Sequence, residues 1–169
     1  MAAAQTENKP KWEGKIAAKV EKTTPQQAWT LLEDFCNIHK WLPSIDTCHK
    51  VEGVEGRAGL VRYCASTYSG GDGGDVVVKW CNEKLIEVDP INKCLSYEVL
   101  ENNMGLKFYK STMEVKPTEG GDDVHGCLIE WSFLADPVEG FSFEDLIGYL
   151  DLSLQGMVHK MEKTIFESL

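Results

Sequence analysis

The chain has 169 residues, 43% of them hydrophobic, and a formal net charge of −10 at pH 7. That length suits one domain with a core large enough to enclose a cavity, and the acidic balance argues against nucleic acid or an anionic membrane surface, since both need a basic face. No run of about 18 apolar residues is present to insert into a membrane; six cysteines at 36, 48, 64, 81, 94 and 127 form no Cys-x-x-Cys and no His/Cys cluster, predicting reduced, mostly buried thiols, a cytoplasmic setting, and neither metal nor other cofactor.

In chain order, residues 1–10 are small and polar and read as a disordered lead-in, leaving 11–169 as a single domain. Trp12, Gly14, Ile16, Ala18 and Val20 then alternate with Glu13, Lys15, Lys19 and Glu21, the pattern of a half-buried strand. Thr24 before Pro25, with Gln27 behind it, marks a helix start, and Ala28, Leu31, Leu32 and Phe35 give that helix an apolar face ending near Phe35. A second short helix is expected from Ile38 to Leu42, where Pro43 stops it.

Six strand-like runs follow: Thr47 to Gly53, Leu60 to Tyr68, Val76 to Val88, Lys93 to Leu100, Leu106 to Lys116 and His125 to Leu134. Their short separators are rich in Gly, Asp and Asn, which predicts an antiparallel meander. The glycine-rich loop 69–74 costs much entropy to order and is expected to be mobile. The chain closes with a long helix opened by Ser142 and Asp145 at capping-box spacing. Leu146, Leu150, Leu154, Met157, Met161 and Ile165 line one of its faces, which must lie against something apolar. Two methionines, with Gly148 and Gly156, suit an adjustable cavity wall with Met157 in it; ordinary core packing fits the same residues.

Arg62 interrupts the apolar run Leu60-Val61-Arg62-Tyr63-Cys64-Ala65, and Glu83 lies on the next strand. A hairpin centred on the glycine loop brings the two roughly opposite each other. Facing inward, a lone charge would be costly, whereas an Arg–Glu pair stays ionised and binds a polar group: the guanidinium holds an oxyanion and the carboxylate moves a proton. A surface cross-strand ion pair satisfies the same spacing. Cys81 shares the parity of Glu83 and is expected to line the cavity; Trp80 has the opposite parity and is expected to pack. His39, His49, His125 and His159 have no metal spacing and read as surface or capping groups.

The motifs Lys11-Trp12-x-Gly14-Lys15, Gln27-Ala28-Trp29-Thr30-Leu31-Leu32, Val51-Glu52-Gly53, Val61-Arg62-Tyr63, Trp80-x-x-Glu83-Lys84-Leu85, Ser96-Tyr97 and Trp131-Ser132-Phe133 occur in this order. Together they resemble the plant lachrymatory factor synthases, in the helix-grip superfamily of the birch pollen allergen and START-like proteins. The resemblance implies an α+β helix-grip fold: an antiparallel seven-stranded sheet wrapped around a long C-terminal helix, with two short helices after the first strand. It implies a hydrophobic cavity for a small amphipathic or hydrophobic molecule and cofactor-independent isomerisation of a sulfenic acid to a thial S-oxide by proton transfer. Arg62 and Glu83 match the residues considered catalytic there, and Tyr109 matches a pocket tyrosine. Trp131 matches a family tryptophan, as pocket wall or as packing.

The chain departs from that pattern at Val99, where a second pocket tyrosine is expected, and at Lys79, which replaces an aromatic residue and is expected to be solvated. The loop between the paired strands is also longer. A binding or carrier protein without chemistry is the alternative. The abscisic acid receptors resemble the chain at Leu106-x-x-Tyr109-Lys110-Ser111 and Glu83-x-Leu85, but their gate becomes Ser69-Gly70-Gly71-Asp72-Gly73 and their carboxylate-binding lysine becomes Asp46, which argues against hormone sensing. The sequence leaves the oligomeric state open.

Overall fold

The computed structural model of the protein describes residues 10–70, 73–118 and 126–168. The expected lead-in lies outside the described residues except for residue 10, as do His125 and part of the glycine loop. The first strand, β1, spans Trp12–Glu21, and helix α1 follows at Pro25–Leu32. Thr24 caps α1 with a full capping box: its hydroxyl accepts from Gln27 N, and the Gln27 side chain accepts from Thr24 N at 2.9 Å.

Two boundaries here differ from expectation. α1 stops at Leu32 instead of near Phe35, because Asp34 takes up a non-helical conformation (φ −76°, ψ 70°). The second helix is a 3-10 helix that begins earlier than expected, over Phe35–Lys40, with Phe35, Cys36 and Ile38 buried. Phe35 therefore opens the second helix instead of closing α1, and its carbonyl bears on the site.

The remaining strands are β2 (Thr47–Glu52), β3 (Val61–Ser69), β4 (Val76–Asp89), β5 (Cys94–Asn102), β6 (Tyr109–Pro117) and β7 (Gly126–Ala135). They form one antiparallel sheet in the order β1-β7-β6-β5-β4-β3-β2, so the meander is as predicted and β1 returns to pair with β7. The C-terminal helix α2 spans Phe143–Glu167, and Ser142 with Asp145 forms the predicted capping box. Glu144 and Asp145 in the first turn also complement the positive end of the helix.

α2 buries Leu146, Leu150, Leu154, Met157, Val158, Met161 and Ile165 in the grip of the sheet. Val20, Ile129, Trp131 and Phe133 belong to the same core. Each fully buried aliphatic side chain contributes about 1.5–3 kcal/mol, so truncating Leu154, which is wholly buried, to Ala is expected to cost about 2–5 kcal/mol. Gly156 has its own reason to be small: a Cβ there would come within 3.2 Å of Pro43 Cγ. The glycine lets the helix lie close to the loop before β2 without pressing on that ring. Among the described residues no helix is long and apolar enough to cross a membrane.

Candidate functional site

Strand alternation places Arg62 and Cys64 of β3, Cys81 and Glu83 of β4, Tyr97 and Val99 of β5, Tyr109 and Ser111 of β6, and Trp131 of β7 in the interior. Arg62 and Glu83 are direct cross-strand partners, as the hairpin argument requires. They are 4% and 8% exposed. Arg62 Nε donates to Glu83 Oε1 at 2.9 Å, and Nη2 lies 2.8 Å from the same oxygen. Nη1 donates to the Phe35 carbonyl, at the start of the 3-10 helix, at 2.7 Å.

The guanidinium carbon lies 3.7 Å from the Phe35 ring centroid and 5.0 Å from that of Tyr97. Two aromatic rings thereby replace part of the hydration the cation has lost. Burial works most strongly against the charge of Arg62, but Glu83, together with Cys64, Tyr97 and Cys48, outweighs it and pushes its pKa up. The arginine is a permanent cation at any working pH.

The two oxygens of Glu83 are unequal. Both Arg62 contacts fall on Oε1, which also lies 3.6 Å from Cys64 Sγ, and the Cys81 thiol hydrogen-bonds the same carboxylate. Around this carboxylate the other groups stay neutral. Burial pushes the thiol of Cys81 up, with the charge of Glu83 adding to it. Burial likewise raises the phenols of Tyr97 and Tyr109, again helped by Glu83 and opposed by Ser111. Ser111 Oγ accepts from Trp131 Nε1 and donates to the Ser132 carbonyl at 2.9 Å. The ring of Tyr109 stacks on Phe133, with centroids 6.0 Å apart.

Every expected site residue is thus interior, and Cys81, Val99, Tyr109, Trp131 and Met157 share one contiguous core. Val99 sits opposite Glu83. Tyr97, two residues earlier on the same face, is 4% exposed, and its ring covers Arg62. Parity signalled this, since Tyr97 and Val99 alternate to the same face. The Phe35 carbonyl had no comparable signal, because it depends on where α1 breaks. Trp80 lies on the outer face and stacks on Tyr63, which stacks on His49. Lys79 is exposed, its Nζ 5.5 Å from the Tyr68 ring centroid. Asp46 also points outward, holding Thr67 N at 2.6 Å and Thr47 Oγ1 at 2.8 Å.

Two hollows open on the surface. One of about 500 Å³ is lined by Thr30, Glu33, Asp34, Glu55 and Val88, and one of about 550 Å³ by Lys15, Lys110, Lys116 and Glu130. Neither reaches Arg62 or Glu83, so the hydrophobic cavity expected beside the pair is not one of these hollows, and the candidate site is the buried pair with its rings, packed within the core. Among the described residues no group of three or more His, Cys, Asp or Glu is placed to hold a metal ion.

What the interior offers is a fixed cation, a carboxylate bound to it through one oxygen, and two neutral phenols. Comparison with known proteins agrees with the fold that presents them. The chain is similar to protein XoxI of Bacillus cereus, with 23% identity over 90% of this chain and 94% of that one and a TM-score of 0.68. It is also similar to an uncharacterised protein of Bacillus thuringiensis, with 21% identity over 88% and 98% of the two chains and a TM-score of 0.67. At such identities the likeness establishes the helix-grip fold. The family model described as polyketide cyclase / dehydrase and lipid transport matches residues 15–165, nearly the whole chain, and the protein belongs to that family.

Proposed function

We propose that the protein is a cofactor-independent isomerase of the lachrymatory factor synthase type, acting in the cytoplasm on a small alkenyl sulfenic acid. The observation that carries this reading is the buried Arg62–Glu83 pair, in which both Arg62 contacts fall on Oε1; the other oxygen, Oε2, is the one we assign to the proton. Oε2 takes the proton from the sulfenic O–H. The resulting S–O⁻ is held by the N–H groups of Arg62 that face neither Glu83 nor Phe35. Protonated Glu83 then returns the proton to the alkenyl carbon remote from sulfur; the C=C bond becomes single and the C–S bond double. Atoms and electrons balance within one molecule. Tyr97 and Tyr109, held as neutral phenols, donate hydrogen bonds to the oxygen as its charge develops.

A passive carrier of hydrophobic metabolites is the second reading. It is favoured by the contacts of Arg62, whose three nitrogens already engage Glu83 and the Phe35 carbonyl without a ligand. The assay that separates the two generates the alkenyl sulfenic acid in place from its precursor with alliinase and measures thial S-oxide. An isomerase raises the product above the enzyme-free control. A product yield equal to that control removes the enzymatic reading and leaves the carrier.

A further inference from the structure

The mechanism above makes no use of the thiols beside Glu83, and these are not scattered. Cys48 on β2 and Cys64 on β3 are direct cross-strand partners, with Sγ atoms 3.7 Å apart and no disulfide between them. Directly opposed residues of an antiparallel pair have Cα atoms about 4.5–5.5 Å apart, inside the roughly 4.4–6.8 Å window of a disulfide. Closing the sulfurs to about 2.05 Å therefore needs little more than side-chain rotation. β2 is an edge strand with a register irregularity between Lys50 and Glu52, so one side of the pair has room to adjust.

The two thiols also differ in access. Cys48 is half-buried, while Cys64 is 3% exposed and touches Glu83 Oε1. One can meet a small oxidant from solvent and the other can resolve it from within.

We propose that Cys48 and Cys64 form a peroxide-responsive dithiol that reversibly locks β2 to β3 and withdraws the Cys64 thiol from Glu83. The Cys48 thiolate attacks a hydroperoxide oxygen, the O–O bond breaks, and the alcohol or water leaves with a proton. Cys64 then attacks the sulfur of the Cys48 sulfenic acid. The S–S bond forms, and the hydroxyl departs as water carrying the Cys64 proton. Overall the hydroperoxide is reduced and two thiols are oxidised; an external dithiol restores them.

The electrostatics run in the same direction. The hydrogen bond from Cys64 lowers the pKa of Cys48, against burial, and the Arg62 charge lowers it further. Cys94 is a natural control. It is also half-buried, but burial and then the carboxylates of Glu114, Glu87 and Asp89 raise its pKa. A thiol held protonated is a poor nucleophile.

The test treats the reduced full-length protein with equimolar hydrogen peroxide, quenches with iodoacetamide and maps the peptides. The expected result is a Cys48–Cys64 linked peptide, a mass lower by two hydrogen atoms, loss of two of the six alkylatable thiols, and reversal by dithiothreitol. Cys48 should be consumed at least about tenfold faster than Cys94. Cys48→Ser should abolish the link, and Cys64→Ser should leave Cys48 as a sulfenic acid trapped by dimedone. The proposal is overturned if both thiols of the wild-type protein stay alkylatable while others oxidise, or if the link joins different cysteines. The wild-type map decides the matter even if a variant fails to fold. It needs no substrate, so its outcome is independent of the isomerase reading.

Discussion

The two faces of the sheet each carry an ion pair of similar geometry. On the outer face Lys116 Nζ lies 2.8 Å from Glu130 Oε2, with side chains 40% and 18% exposed. On the inner face Arg62 Nη2 lies 2.8 Å from Glu83 Oε1, with side chains 5% and 10% exposed. Distance alone makes them equals; solvent separates them. The outer pair is screened and contributes about 0–1 kcal/mol. The inner pair has lost its hydration, and its net contribution to folding is small or negative even though breaking it is expensive. A buried pair that adds so little to stability is consistent with the role in binding and proton transfer proposed for it above.

The contrast breaks most visibly when each cation is removed. Arg62→Met strands a buried carboxylate and is expected to cost about 3–5 kcal/mol, whereas Lys116→Met is expected to cost about 1 kcal/mol or less. Urea denaturation measures both, and equal costs would place the inner pair in a solvated environment. Removing both inner charges sharpens the contrast: Arg62→Met/Glu83→Leu should recover most of the stability lost by Arg62→Met and have no isomerase turnover.

Acid and base also distinguish the faces. Glu130 has its folded pKa lowered, first by the hydrogen bond from Lys116, so its contribution is complete above the ordinary value of 4.5 and is lost as pH falls through the depressed value. Tyr97 and Tyr109 have theirs raised by burial, so their contribution is complete below the ordinary value of 10.0 and is lost as pH rises through the raised values. Urea midpoints followed against pH should show both losses. Tyr109→Phe should reduce only the alkaline loss, whereas Lys116→Met should reduce the acid loss and also the alkaline loss that comes from its own raised pKa.

The smallest expected effect concerns the glycines of α2. A Cβ at Gly148 would meet nothing within 4 Å, so Gly148→Ala should stabilise the helix by up to about 1 kcal/mol. Gly156→Ala meets Pro43 and should give less or reverse the sign, as thermal unfolding would register.

Much of this arrangement was legible beforehand because it rests on periodicity. The alternation along β3 and β4 and the glycine loop between them are enough to set Arg62 opposite Glu83, and the capping pairs Thr24/Gln27 and Ser142/Asp145 locate both helix starts. The end of α1 was not legible, since Asp34 leaves the helix through a backbone conformation that no proline or glycine announces. With it went the Phe35 carbonyl as a partner of Arg62. Tyr97 is legible by parity with Val99, both of which fall on the inner face of β5. The closeness of Cys48 to Cys64 follows from strand register, which a bulge in β2 makes hard to count from residues alone.

The measurement that bears most directly on the central claim is the Glu83→Gln variant, with turnover and ligand affinity determined separately on the alkenyl sulfenic acid and its stable analogues. Gln keeps the size and the contact to Arg62 but cannot carry a proton. The account predicts a fall in kcat of about 100-fold or more, with Kd changed by less than about tenfold, or about 1.4 kcal/mol. Unchanged kcat, or a loss confined to Kd, would contradict it.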